Sequence, residues 1–269
     1  MITVYEDGTR CVTYCDSTYY DLAEFSSNKN IILLSGGIDS QSLISYFTIN
    51  NISFIAYFFD YGINKYDKDY AIKFKTNVLK FNLDDLYFNK EIHKYYSKFC
   101  ECTSPQLAVH IYGIDCLFKK YPDYNIIMPG MPLFFNLNDD NSIANSLPDF
   151  TQLSYLRYKE KTNSKLYPYF WAESKQGQEM LNSATQLNFS ITDYQKKILL
   201  YRELNLDISP QEIKKTGFEE YKDYLKKEKL IDYNKEFRRP ISKEKKCIGV
   251  FEDSLMSAKL KNYINDWKA

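Results

Sequence analysis

Residues 30–40 read Asn30-Ile31-Ile32-Leu33-Leu34-Ser35-Gly36-Gly37-Ile38-Asp39-Ser40, and this run decides the fold. Ile31 to Leu34 form a short continuous apolar stretch, the mark of a buried strand. The chain then turns tightly through Ser35-Gly36-Gly37, and a helical pattern begins at Ser40, with Leu43, Ile44 and Phe47 at helical spacing. A strand, a glycine turn and a helix N-terminus together make a ready anion site. The first N–H groups of a helix have no partner inside it, and the helix dipole favours negative charge there. Gly36 and Gly37 let the backbone approach an anion without a Cβ in the way. Ser35 and Ser40 add hydroxyl donors. Asp39 is the odd member, because a carboxylate repels phosphate unless a cation lies between them. The expectation is a polyphosphate with a divalent metal bridged by Asp39. A plain strand–turn–helix connection with Asp39 or Ser40 as N-cap accounts for the glycines. It does not account for both serines and the aspartate together.

Outward from this run, Ile52 to Phe59 is a second continuous apolar stretch, bounded by Asn50-Asn51 and by Asp60-Tyr61-Gly62. A strand buried on both faces of a parallel sheet reads this way. Tyr70, Phe74 and Val78 at spacing four predict a helix over 66–80. A short strand is expected over 85–88, and a helix over 104–121 opened by Ser104-Pro105. Asn125 to Met128 is a further strand, ended by Pro129-Gly130-Met131-Pro132. Upstream, alternating residues on either side of Glu6-Asp7-Gly8-Thr9 predict a hairpin over 2–15. Strands alternating with helices give an α/β fold, a doubly wound and mostly parallel sheet over about 20–130. Ligands of such sheets bind at the carboxyl ends of the strands. Residues 35–40, 58–62 and 129–131 should therefore converge. Beyond the polar loop 136–142 the stretches 146–162, 172–187, 191–205, 210–230 and 252–266 all read as helices. This divides the chain into an α/β domain over 1–145, which includes the hairpin, and a helical subdomain over 146–269.

The chain has 269 residues and equal numbers of basic and acidic side chains, 35 of each. No global field therefore points to nucleic acid. Residues 196–269 hold 18 Lys/Arg against 13 Asp/Glu, which reads as a solvated helical face. The 25 Tyr and 18 Phe read as compositional drift. No apolar run is long enough to span a bilayer and no leader pattern opens the chain, so a soluble, cytoplasmic protein without membrane contact is expected. Six cysteines are too sparse for a disulfide scaffold. Cys11-x3-Cys15 and Cys100-x-Cys102 lack the usual zinc spacing.

Ser35-Gly36-Gly37-Ile38-Asp39-Ser40 resembles the SGGxDS loop of the PP-loop superfamily, the N-type ATP pyrophosphatases. The run has no Gly-Lys-Ser/Thr ending, so it does not read as a Walker A loop. The resemblance is to asparagine synthetase-like synthetase domains and to 7-cyano-7-deazaguanine synthases. It implies an adenine nucleotide alpha hydrolase-like fold that uses ATP and magnesium and cleaves ATP between the α and β phosphates. Ser35, Gly36, Gly37, Asp39 and Ser40 would hold pyrophosphate, with Asp39 as the magnesium ligand. Backbone at the ends of three strands would hold adenine and ribose. That carries over to Leu33, to the neighbourhood of Phe58, and to Pro129 and Gly130.

Further residues extend or depart from this pattern. Asp60-Tyr61-Gly62 resembles the Asp-Tyr-Gly of 7-cyano-7-deazaguanine synthases, and Asp60 either touches ribose or a metal or caps a turn. The acidic residues that asparagine synthetases carry after their fourth strand are missing behind Gly130, and the next carboxylates are Asp139 and Asp140. Lys215, of the pair Lys214-Lys215 before Gly217, is a candidate catalytic cation at the α-phosphate; a solvated surface lysine is the bland alternative. Arg238 and Arg239 suit a carboxylate or phosphate. The resemblance implies an adenylating synthetase acting on a small carboxylate or carbonyl, with ammonia, free or from a separate donor, as nucleophile. The alternatives are a tRNA- or nucleobase-modifying enzyme, with Cys100 and Cys102 as its only candidate thiols, and a non-catalytic nucleotide-binding module.

Overall fold

The computed structural model describes residues 2–5, 10–12, 21–26, 29–64, 74, 76–89, 91–99, 105–130, 133–136, 143–146, 149–168, 170–177, 193–210, 217–227 and 247–251. In chain order the strands are β1 (Ile2–Tyr5), β2 (Arg10–Val12), β3 (Asn30–Leu33), β4 (Ile55–Asp60), β5 (Asn77–Lys80), β6 (Asn125–Ile127), β7 (Leu133–Asn136), β8 (Ile143–Ser146), β9 (Leu166–Tyr167) and β10 (Cys247–Phe251). The helices are α1 (Ile38–Ile49), α2 (Leu83–Phe88), α3 (Glu91–Phe99), α4 (Pro105–Lys120), α5 (Asp149–Thr162), α6 (Phe170–Glu173), α7 (Asp193–Glu203) and α8 (Phe218–Lys227).

β3, which carries the apolar run from Ile31, lies at the centre of a five-stranded sheet ordered β5-β4-β3-β6-β9. Every pairing in it is parallel, so the expected α/β fold stands. Ile31, Leu33, Tyr57, Phe59 and Ile126 enter one apolar cluster with residues of α2, α3, α4, α5 and α8. Ile32, Leu34, Phe58 and Ile127 enter a second cluster with Phe25 and residues of α1, α6 and α7. Alternate residues of each strand therefore face opposite cores, which is why β3 and the end of β4 read as unbroken apolar runs.

The outer strands depart from expectation. Residues 77–80 form the edge strand β5 rather than the end of a helix, and only Leu79 of its four residues is even half-buried. An edge strand with one inward residue carries almost no period-two signal. Residues 85–88 belong to helix α2 rather than to a strand. Asn82 caps it by accepting the Asp85 N–H, and Asp84 and Asp85 sit in its first turn, where the dipole favours acids. Leu83, Leu86 and Tyr87 are its buried residues, at helical spacing. The fifth strand, β9, comes from residues 166–167, between the stretches 146–162 and 172–187 that read as helices. The hairpin pairs β1 with β2 as expected, and β10 adds to the other side of β1, antiparallel. A second antiparallel hairpin, β7 with β8, brackets the polar loop. The helix expected over 252–266 lies outside the described residues. No helix among the described residues is long and apolar enough to cross a membrane.

His110 of α4 is half-buried and packs against the Phe59 ring, 5.2 Å between centroids, and its Nδ1 lies 2.6 Å from the Tyr155 hydroxyl. Burial pulls its imidazole down to about 4. The unfolded chain takes up that proton near the ordinary value of about 6.5. Between these values the unfolded state binds more protons, so stability rises with pH and is lost as pH falls from 6.5 towards 4. Between pH 7.5 and 5 the wild type should lose about 2 kcal/mol more than His110→Leu, read from urea midpoints. Gly217 sits at φ +84°, and a Cβ there would lie 2.6 Å from the Ile63 carbonyl oxygen. Gly217→Ala should therefore cost about 2–3 kcal/mol in the same assay.

Candidate functional site

The parallel register sets where the site forms. Leu33 lies beside Tyr57, and Ile32 beside Ile127, so the carboxyl ends of β3, β4 and β6 come to one edge. The Leu34 N–H makes the last bond of the ladder, 2.8 Å to the Tyr57 carbonyl. The chain then leaves the sheet. Gly36 takes φ +75°, a left-handed conformation that favours glycine. Gly37 is the N-cap of α1, and no side chain among the described residues caps that helix.

Two serines close the loop on itself. The Ser40 hydroxyl donates to the Gly37 carbonyl at 2.9 Å and accepts the Ser35 N–H at 3.3 Å. The N–H groups of Gly36, Ile38 and Asp39 meet no acceptor among the described residues. A helix end left without such partners calls for an outside acceptor. Neither expected N-cap acts as one: Ser40 braces the loop, and the Asp39 carboxylate turns away to α7.

Both Asp39 oxygens are engaged there. Lys197 Nζ lies 2.9 Å from Oδ2, and the Tyr201 hydroxyl donates to Oδ1 at 2.8 Å. Lys197 is 14% exposed and Asp39 29%, so the pair is largely withdrawn from water. Burial, and then the Asp39 charge, push the Tyr201 phenol well above its ordinary value, so it keeps its proton and donates. Lys197 and Tyr201 stand four apart, on one face of α7.

The segment after α7 is tied to α1 as well. Buried Gln41 donates to the carbonyls of Gly36 (3.0 Å) and Ser209 (3.1 Å), and its Oε1 accepts the Ser209 N–H at 2.6 Å. Ser45, one turn on, accepts the Asp207 N–H at 2.7 Å. Trp171 of α6 donates to the Ser42 hydroxyl at 3.0 Å.

The other expected residues are placed as follows. Leu33 and Phe58 have buried side chains and reach the edge only through their backbone. Pro129 and Gly130 follow β6 at the same edge, and the Pro129 carbonyl accepts the Trp171 N–H at 3.2 Å. Asp60 accepts the Gly62 N–H at 3.0 Å, so it does cap the turn after β4. Lys215, Asp139, Asp140, Arg238, Arg239, Cys100 and Cys102 lie outside the described residues. Sequence reasoning missed Lys197, Tyr201 and Gln41. The only trace of the first two is a lysine and a tyrosine at helical spacing, which is unremarked in a chain with 35 basic residues and 25 tyrosines.

The donor set suits polyphosphate: three N–H groups that meet no acceptor among the described residues, the Ser35 hydroxyl and an ammonium at a helix N-terminus. It does not suit magnesium on Asp39 in this arrangement. That ion needs oxygen ligands in octahedral array, and here the carboxylate already holds an ammonium and a phenol. Among the described residues no group of three or more His, Cys, Asp or Glu could hold a metal ion.

Asp39→Asn and Lys197→Met should each destabilise the protein, and the double variant less than their sum. The expected coupling is about 1–2 kcal/mol in a double-mutant cycle, because each single change leaves its partner without a counter-charge. No protein-family model matches this chain, and no curated protein matches it significantly.

Proposed function

We propose that the chain binds ATP at the loop after β3 and uses it to adenylate a small carboxylate or carbonyl substrate. The proposal includes the finer fold reading, a doubly wound sheet of the adenine nucleotide alpha hydrolase type with a C-terminal helical subdomain. What supports it is one observation: a Ser-Gly-Gly-x-Asp-Ser loop with three N–H groups that meet no acceptor among the described residues, set where three parallel strands end. Binding at such an edge is the rule for open α/β sheets.

In this reading the N–H groups of Gly36, Ile38 and Asp39 and the Ser35 hydroxyl hold the β and γ phosphates, and Ser40 keeps the loop in shape through its bond to the Gly37 carbonyl. The backbone near Leu33, Phe58, Pro129 and Gly130 holds adenine and ribose. The substrate oxygen attacks the α-phosphorus, the bond from that phosphorus to the bridging oxygen breaks, and pyrophosphate remains on the loop. Charge grows on the departing pyrophosphate, and donors fixed before the reaction stabilise it without reorganising. Lys215 is the proposed cation at the α-phosphate. It precedes Gly217 by two residues, and Gly217 packs on Ile63, just past the end of β4. Ammonia or another nucleophile then displaces AMP.

A second reading, a nucleotide-binding module without turnover, is favoured by the Asp39 carboxylate, whose two oxygens are both engaged. One assay separates the two. ATP is incubated with the protein, with and without magnesium, against pools of carboxylates, ammonia and bulk tRNA, and AMP plus pyrophosphate is resolved from ADP plus phosphate. The adenylating reading expects AMP and pyrophosphate, stimulated by a carboxylate or carbonyl and reduced at least tenfold in Lys215→Ala. ADP as the product would sink it. ATP binding without turnover would leave the module, and stimulation by tRNA alone would move the substrate to RNA.

A further inference from the structure

The charges at the loop pose a problem that α7 solves. The start of α1 offers N–H groups that meet no acceptor among the described residues, and the positive end of a dipole. Asp39, in its first turn, places a full negative charge beside them. A polyphosphate carries several more. An anion site with a carboxylate in it works only if a cation stands by that carboxylate.

Lys197 is that cation. Its ammonium lies 2.9 Å from Asp39 Oδ2, and Tyr201 takes the other oxygen at 2.8 Å. The arrangement is braced rather than incidental. Gln41 and Ser45 of α1 bind the backbone of Ser209 and Asp207, so the segment leaving α7 is fixed along α1. Gln41 also holds the Gly36 carbonyl, so one side chain joins the glycine turn to that segment. An ammonium has three donors. One is on Asp39, which leaves two for a phosphate oxygen.

We infer that Lys197 takes the place of a divalent ion at Asp39, so that the loop binds its polyphosphate without metal. The inference rests on the nucleotide reading and concerns only how the loop's charge is balanced. Lys197 balances the Asp39 charge and lends its remaining donors to the phosphate. Its removal has a consequence that a purely structural lysine would not share: the carboxylate it leaves behind becomes available to a metal ion.

Isothermal titration with ATP and with inorganic pyrophosphate, each in EDTA and in excess magnesium, tests this in wild type and Lys197→Met. Wild type should bind in EDTA with a Kd within about threefold of that in magnesium. Lys197→Met should bind about 10–100-fold more weakly in EDTA, the usual weight of a hydrogen bond to a charged group. Magnesium should restore most of that loss. Wild-type binding that appears only with magnesium would overturn the inference and leave the nucleotide reading standing. Unchanged binding by folded Lys197→Met in EDTA would overturn it equally. No binding by wild type in either buffer would sink both readings together. The wild-type comparison needs no variant, so it decides even if Lys197→Met fails to fold.

Discussion

Burial of β3 on both faces is the constraint from which the rest follows. Its residues alternate between two apolar clusters, Ile31 and Leu33 on one side, Ile32 beyond on the other. Such a strand carries apolar elements over both faces, and here it is paired in parallel on each side. Parallel pairing then brings the strand ends to a common edge. The Ser-Gly-Gly turn lies at the middle of that edge because β3 lies at the middle of the sheet. The same six residues on an edge strand would be a turn with a capped helix and little more.

The second organising element is polar. α7 meets α1 through the Asp39 carboxylate, and the chain after α7 meets it through Gln41 and Ser45. Gln41 is fully buried, with both its amide donors and its oxygen bonded. Buried polar groups fully satisfied in this way specify one arrangement, since any shift strands a donor or acceptor. The loop and residues 193–210 therefore form one structural unit, although more than 150 positions separate Asp39 from Lys197.

The abundance of aromatics, read from composition as drift, has a structural use. Phe170 meets Phe25, Phe47 and Trp171 edge-on, and the Phe25 and Phe47 rings are tilted against each other. Tyrosines bury a ring and still deliver a hydroxyl to an acid: Tyr201 to Asp39, Tyr221 to Asp84, Tyr95 and Tyr158 to Asp115. Phenols held this way stay protonated, raised first by burial and then, at Tyr201 and Tyr158, by the acid's charge. They serve as donors to carboxylates where water is scarce.

The sequence alone carries the central strands, the glycine loop, α1, α4 and the α/β class, because these rest on short-range patterns. An unbroken apolar run, a Gly-Gly turn and a Ser-Pro helix start each carry their meaning within a few residues. It did not determine β5, α2 or β9. An edge strand with one inward residue, a helix of six residues and a strand of two carry too little periodicity, and long-range pairing decides them. The anion loop was legible for the same local reason. Its counter-charge was not. Asp39 by itself calls for a cation without saying which, and only the tertiary structure brings Lys197 and Tyr201 to it, because that choice depends on how α7 packs over the face that Ile32 and Leu34 present.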